Sequence, residues 1–127
     1  MRKIKLISIL LLFSLVLIGC QKSNLNLSDD VTSIEVYEWG SEEMVTTIDE
    51  KEFIEELVKE LDSAKTASTA SMDLALPDYD LHFNNNDGET LFTMGYYKKV
   101  MNLDVEGRYI DFSEDIMYNV ELELPLE

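Results

Sequence analysis

The chain has 127 residues, with 26 aspartates and glutamates against 10 lysines and arginines, a formal net charge of −16. That length supports a single domain and leaves no room for a multidomain enzyme or a repeat array. An acid excess of this size repels phosphate backbones and argues against nucleic-acid binding.

Three of the cations, Arg2, Lys3 and Lys5, precede a run from Leu6 to Ile18 broken only by Ser8 and Ser14. Residues 1–19 therefore read as a signal peptide, a basic n-region followed by an apolar h-region. As a helix the run reaches only ~20 Å, short of the ~30 Å hydrocarbon core, which favours removal over a stable span. It ends in Leu17-Ile18-Gly19-Cys20, which resembles the bacterial lipobox at all four positions. The resemblance implies cleavage between Gly19 and Cys20 and a diacylglyceryl thioether on the Cys20 thiol. The protein would then be a lipoprotein on the extracytoplasmic face of the cell membrane, since two acyl chains make a durable anchor. The rival reading is an ordinary signal peptide, or an uncleaved anchor, with an incidental cysteine.

Removal of residues 1–19 leaves 108 residues with 26 acidic and 7 basic side chains, net −19. Cys20 is the one cysteine in the chain, so an intrachain disulfide, a zinc–thiolate cluster and a thiol redox pair are excluded. Residues 20–31 comprise this cysteine and a polar stretch, Gln21 to Asp30, without helical or strand period, predicting a tether that spans at most about 33–36 Å. The domain itself is expected over 32–127. Anionic headgroups repel its acidic surface, so membrane contact is expected through lipid alone.

Ile34 and Val36 alternate with Glu35, Tyr37 and Trp39; after a turn at Gly40-Ser41-Glu42, Met44 to Ile48 resumes period two, predicting a hairpin over 33–48. Asp49 followed three residues later by Glu52 has capping-box spacing. Phe53, Ile54, Leu57, Val58 and Leu61 then share one face, predicting an amphipathic helix over 50–62. Residues 63–76 carry little pattern and read as an irregular connection, with a short turn of helix as the alternative, followed by Pro77. Tyr79, Leu81 and Phe83 alternate with Asp80, His82 and Asn84, and Asp87-Gly88 supplies the chemistry of a tight primed turn, so 79–84 should pair with 89–97. A further strand is expected over 100–105, turning at Glu106-Gly107 into Arg108–Phe112. Ser113, Glu114 and Asp115 look like a helix start, and Ile116, Met117, Val120 and Leu124 predict a short C-terminal helix, against the strand that Val120 to Leu124 invites. The fold class expected is α+β: a small antiparallel β-sheet packed against one amphipathic helix, with that short C-terminal helix.

The order of lipobox, tether, hairpin, helix, the loop Pro77-Asp78-Tyr79, and a strand-rich half with Phe83, Gly107-Arg108-Tyr109 and Ser113 resembles the small uncharacterised YhfM-like lipoproteins of Gram-positive bacteria. The resemblance implies localisation and fold and brings no activity.

Little in the chain suggests catalysis, which needs a nucleophile or an acid–base pair against an orienting group. His82 is the single histidine and is expected to face solvent on its strand beside Asp80 and Asn84; one histidine lacks the companions zinc requires. Placing Gly88 at the sixth position of an EF-hand loop puts Phe83 and Met94 where Asp and Glu are needed, so that motif fails. A weak cation site shared by Asp78, Asp80 and Asp87 is set against a plain hairpin turn. Glu55, Glu56, Glu60 and Asp62 read as a solvated helix face, with Glu55 and Lys59 at a favourable i,i+4 spacing. Tyr96-Tyr97-Lys98-Lys99 is a cationic spot in which alternation should bury one tyrosine and expose the other; Trp39 marks a hairpin tip. Trp39, Tyr96, Tyr97, Lys98 and Lys99 are therefore the candidate partner-binding residues. No enzyme, metal or cofactor is expected. The sequence points to a non-enzymatic binding or accessory module meeting an envelope protein; the alternative is an extracytoplasmic sensor of a small ligand or divalent cation.

Overall fold

The structure, a computed structural model, describes residues 23–126. Residues 1–19, expected to be a signal peptide, the expected cleavage junction Gly19–Cys20 and the expected lipidation site Cys20 lie outside the described residues. Seven strands form one sheet: β1 (Ser33–Glu38), β2 (Met44–Ile48), β3 (Thr66–Ser68), β4 (Tyr79–Asn84), β5 (Thr90–Asn102), β6 (Glu106–Asp111) and β7 (Ile116–Tyr118). Their order is β2-β1-β4-β5-β6-β7-β3, with every pairing antiparallel. One helix, α1 (Lys51–Ser63), follows β2. The α+β class holds, with a larger sheet than the sequence suggests.

Alternation along the strands sends Ile34, Val36, Leu81, Phe83, Met94, Tyr96, Tyr109 and Tyr118 to one face, where they form the main core with Ile54, Leu57 and Leu61 of α1. A helix of this length is marginal alone in water. Burial of each of its three core side chains stabilises it by about 1.5–3 kcal/mol. The helix starts one residue late for the expected capping box: Glu50 occupies the N-cap without a side-chain bond, leaving Asp49 outside.

The stretch expected to be a free tether is docked from Ser23 onward. The Asn24 side-chain amide donates to the carbonyls of Leu61 (2.8 Å) and Ala64 (2.9 Å), groups that a helix C-terminus leaves without partners. The Asn24 N–H donates to the Asp62 carbonyl (2.9 Å), and the Leu25 N–H to the Asp62 carboxylate (2.9 Å). Leu25 and Val31 pack against the core, which explains why the segment lies down. Asn24→Ala is expected to cost about 1 kcal/mol and to speed amide exchange over the last turn of α1. Unchanged exchange there would show that the cap contributes nothing.

The β4–β5 hairpin forms, but not through a two-residue primed turn. Gly88 alone in the loop has positive φ (+82°), and the Asn85 side-chain oxygen accepts the N–H groups of Asp87 (3.0 Å) and Glu89 (2.9 Å). The expected strand over 100–105 is the far half of β5, and the turn falls at residues 103–105, so Glu106 and Gly107 belong to β6.

Two more expectations are corrected. Residues 66–68, read as connection, form β3 by pairing with β7. The C-terminal helix is absent from the described residues: Ser113 bonds the Asp111 carboxylate in a turn, Tyr109↔Tyr118 and Ile110↔Met117 extend the sheet, and 119–126 continue without regular structure, burying Val120 and Leu124.

Burial raises the phenol pKa of Tyr97, Tyr109 and Tyr118, with nearby acids adding to it at Tyr97 and Tyr118. The folded protein thus retains protons that the unfolded chain releases above about pH 10. Stability from these groups is complete below that pH and falls as pH rises through it. The urea midpoint should decline above about pH 10, with tyrosinate absorbance appearing together with unfolding. Full tyrosine ionisation in a still-folded protein would contradict this.

Candidate functional site

The sheet's second face is divided. On its β5–β6–β7 side, Tyr97, Ile110 and Met117 form a small cluster covered by the segment between β3 and β4. Leu74 packs on that cluster, the Tyr97 hydroxyl donates to the Ala75 carbonyl (2.7 Å), and Pro77 lies over Gly95 so closely that a Cβ there would meet its Cγ at 2.7 Å. Both Tyr96 and Tyr97 are therefore buried, at 3% and 4% exposure, on opposite faces; the expected exposed tyrosine does not exist. The crossing segment supplies the cover that alternation alone cannot reveal.

Towards β1 and β2 the same face is open. Tyr37 packs against His82 with ring centroids 4.7 Å apart, and His82 Nε2 lies 3.2 Å from the Asp80 carboxylate. His82 lies on the outer face as expected, half-buried there, and Asn84, expected beside it, is buried where the β4–β5 register shifts. The Tyr37 hydroxyl donates to Glu35 (3.3 Å); partial burial first, then Glu35 and Asp80, raise its phenol pKa. Trp39 stacks at a tilt on Phe112, centroids 5.2 Å apart. Phe112 is 39% exposed, and Leu76, at 69%, shares a shallow cleft of about 420 Å³ with Glu38, Trp39, Pro77, Asp78, Tyr79 and Lys98. Met44 and Val45 extend the apolar surface at the β2 edge.

Lys98 and Lys99 project from a bulge in β5. Between the pairs Tyr96↔Tyr109 and Met101↔Gly107, β5 advances five residues while β6 advances two. The surplus leaves Tyr97 and Lys98 without backbone partners on β6, and the Arg108 guanidinium donates to both of their carbonyls. Asp78 braces the other side, accepting the Lys98 N–H at 2.7 Å. The Lys98 ammonium then sits 5.2 Å from the Tyr79 ring centroid, a cation–π arrangement.

Of the sequence candidates, Trp39 and Lys98 are brought into one cleft, Lys99 is exposed on the bulge, and Tyr96 and Tyr97 are core residues. Phe112 and Leu76 were missed: Phe112 was expected as the end of a strand and lies just past β6, and Leu76 lies in the connection that carries little pattern. Asp78, Asp80 and Asp87 do not assemble: among the described residues no cluster of three or more His, Cys, Asp or Glu could hold a metal ion. A larger groove of about 850 Å³ runs between residues 27–32 and α1, but its cations sit among acids, with Lys51 3.9 Å from Glu55. No described helix is long and apolar enough to cross a membrane.

Comparison with protein-family models, curated proteins and solved structures returns no match. The site is therefore characterised by its own geometry.

Proposed function

We propose that this chain is a lipid-anchored protein of the cell envelope, held on the extracytoplasmic face through Cys20. Its domain acts as a non-enzymatic binding module for an envelope protein, through the open half of the outer sheet face. The observation that carries the second statement is the stacked Trp39–Phe112 pair, with Phe112 and the neighbouring Leu76 open to solvent in an acidic domain. Aromatic anchors with a polar surround are the usual source of interface energy. The described partners of His82 are Asp80 and the Tyr37 ring, an arrangement that packs a strand face and positions no nucleophile.

The lipobox supports the anchor. Cys20 lies four residues before Asn24, whose side chain caps α1, so the link reaches at most about 14 Å. Such a short link turns the C-terminal end of α1 towards the bilayer. The β2 edge, at the opposite side of the sheet from β3, then faces away.

Mass spectrometry of the membrane-extracted protein should find lipid mass on an N-terminal Cys20. Cys20→Ala should leave residues 1–19 attached and no lipid. A mature chain beginning at an unmodified residue would contradict the anchor.

A further inference from the structure

We infer that β2 is a docking edge for an extended segment of the partner, added to the sheet as an eighth strand, and that this segment carries lysine or arginine on both sides of a short β-prone stretch. The inference rests on the reading of the domain as a binding module and names how it recognises its partner.

β2 is the first strand of the sheet order, with β1 on one side and, among the described residues, no strand on the other. An edge of this kind presents unpaired backbone N–H and C=O groups, and proteins normally blunt it with short strands, proline, lysine, inward-pointing charge or a β-bulge. The sequence Met44-Val45-Thr46-Thr47-Ile48 contains no proline and no charge, and its five residues are long enough to pair. Its one irregularity is a bulge: Val36 pairs with Thr46 and Tyr37 with Met44, so Val45 is extra. Met44 and Val45, at this bulge, are 52% and 45% exposed and offer an incoming strand apolar side chains, while Thr46 to Ile48 keep the regular ladder on which backbone partners can add. The other edge, β3, is three residues long.

Charge decides the occupant. Glu42 and Glu43 precede β2, and Asp49 and Glu50 follow it, all exposed. A second copy of this chain pairing edge to edge, in either direction, would set acid against acid at both ends. A segment flanked by cations meets opposite charge at both ends instead, and the surrounding net charge of −19 steers it inward.

The test uses the full chain in detergent micelles and synthetic peptides of alternating Thr and Val flanked by pairs of lysines or pairs of glutamates. The lysine-flanked peptide should bind about tenfold tighter or more, as expected for several exposed charge pairs, lose that advantage in high salt, and slow amide exchange in β2. E42K/E43K, which changes two exposed turn residues, should narrow the preference while leaving the fold intact. Equal binding of both peptides overturns the inference, as does a concentration-dependent dimer that protects β2 without peptide. Protection at Trp39 and Phe112 in place of β2 overturns strand addition and leaves the binding-module reading standing. Failure of both peptides also overturns strand addition, and crosslinking from the outer face then decides the module separately.

Discussion

Gly107→Ala is expected to cost more than about 3 kcal/mol, a large share of the ~5–15 kcal/mol that holds a domain of this size. A Cβ on residue 107 would run into the Tyr118 carbonyl oxygen, and this oxygen cannot swing aside. It accepts the Val120 N–H at 2.8 Å, and Tyr118 is paired with Tyr109 on β6 and with Thr66 on β3. Relief would require β7 to move off β6, and with it the Val120 and Leu124 side chains that seal the core. Gly88→Ala is the control: it has open space and φ +82°, so only about 1–2 kcal/mol of backbone strain is expected. Urea unfolding followed by Trp39 fluorescence measures both. A Gly107→Ala variant no less stable than Gly88→Ala would mean the C-terminal segment does not lie against β6 as described.

The second large effect is expected at Arg108. Its side chain is 10% exposed and donates to the Glu121 carbonyl (2.8 Å) as well as to the carbonyls of the β5 bulge. Replacement by methionine keeps the aliphatic stem but leaves several carbonyls without a donor, at a cost of about 3 kcal/mol. The ion pair with Glu123 is a minor part, because that carboxylate is 74% exposed and water screens it; Glu123→Ala should cost under about 1 kcal/mol. Loss of stability should come with faster exchange at Lys98 and Lys99 and over 119–126. Equal effects from Arg108→Met and Glu123→Ala would show that charge pairing, not carbonyl satisfaction, is what Arg108 supplies.

These two residues mark where sequence patterning stopped being informative. The β1–β2 hairpin, α1 and the β4–β5 hairpin were legible because each carries its own period and buries its face against neighbours close in sequence. Ile116, Met117, Val120 and Leu124 also fit a helical face, yet hairpin pairing with β6 overrode that spacing, and the Asp111 carboxylate engaged Ser113 in the turn between the two strands. Thr66-Ala67-Ser68 has no pattern to read; it is a strand because β7 offers an edge. Gly107 was expected in a turn and Arg108 only at the start of a strand, since the bulge and the returning C-terminal segment that surround them come from elsewhere in the chain.

The candidate site was legible in the same uneven way. Trp39 and Lys98 could be singled out as an aromatic and a cation in an acidic chain, and they do meet in one cleft. Tyr97 could not be judged, because the segment containing Leu74 and Pro77 covers it from a different element. Phe112 follows β6 and reaches Trp39 only through the folded sheet.

The open outer face is the centre of this account, and photocrosslinking in intact cells tests it most directly. Photoreactive residues at Phe112 and at Met44 are compared with one at Glu56, on the exposed side of α1. One recurrent protein adduct from Phe112 and Met44, absent from Glu56 and lost on Trp39→Ala, is the predicted result. No adduct from the outer face, or the same adducts from Glu56, would contradict it.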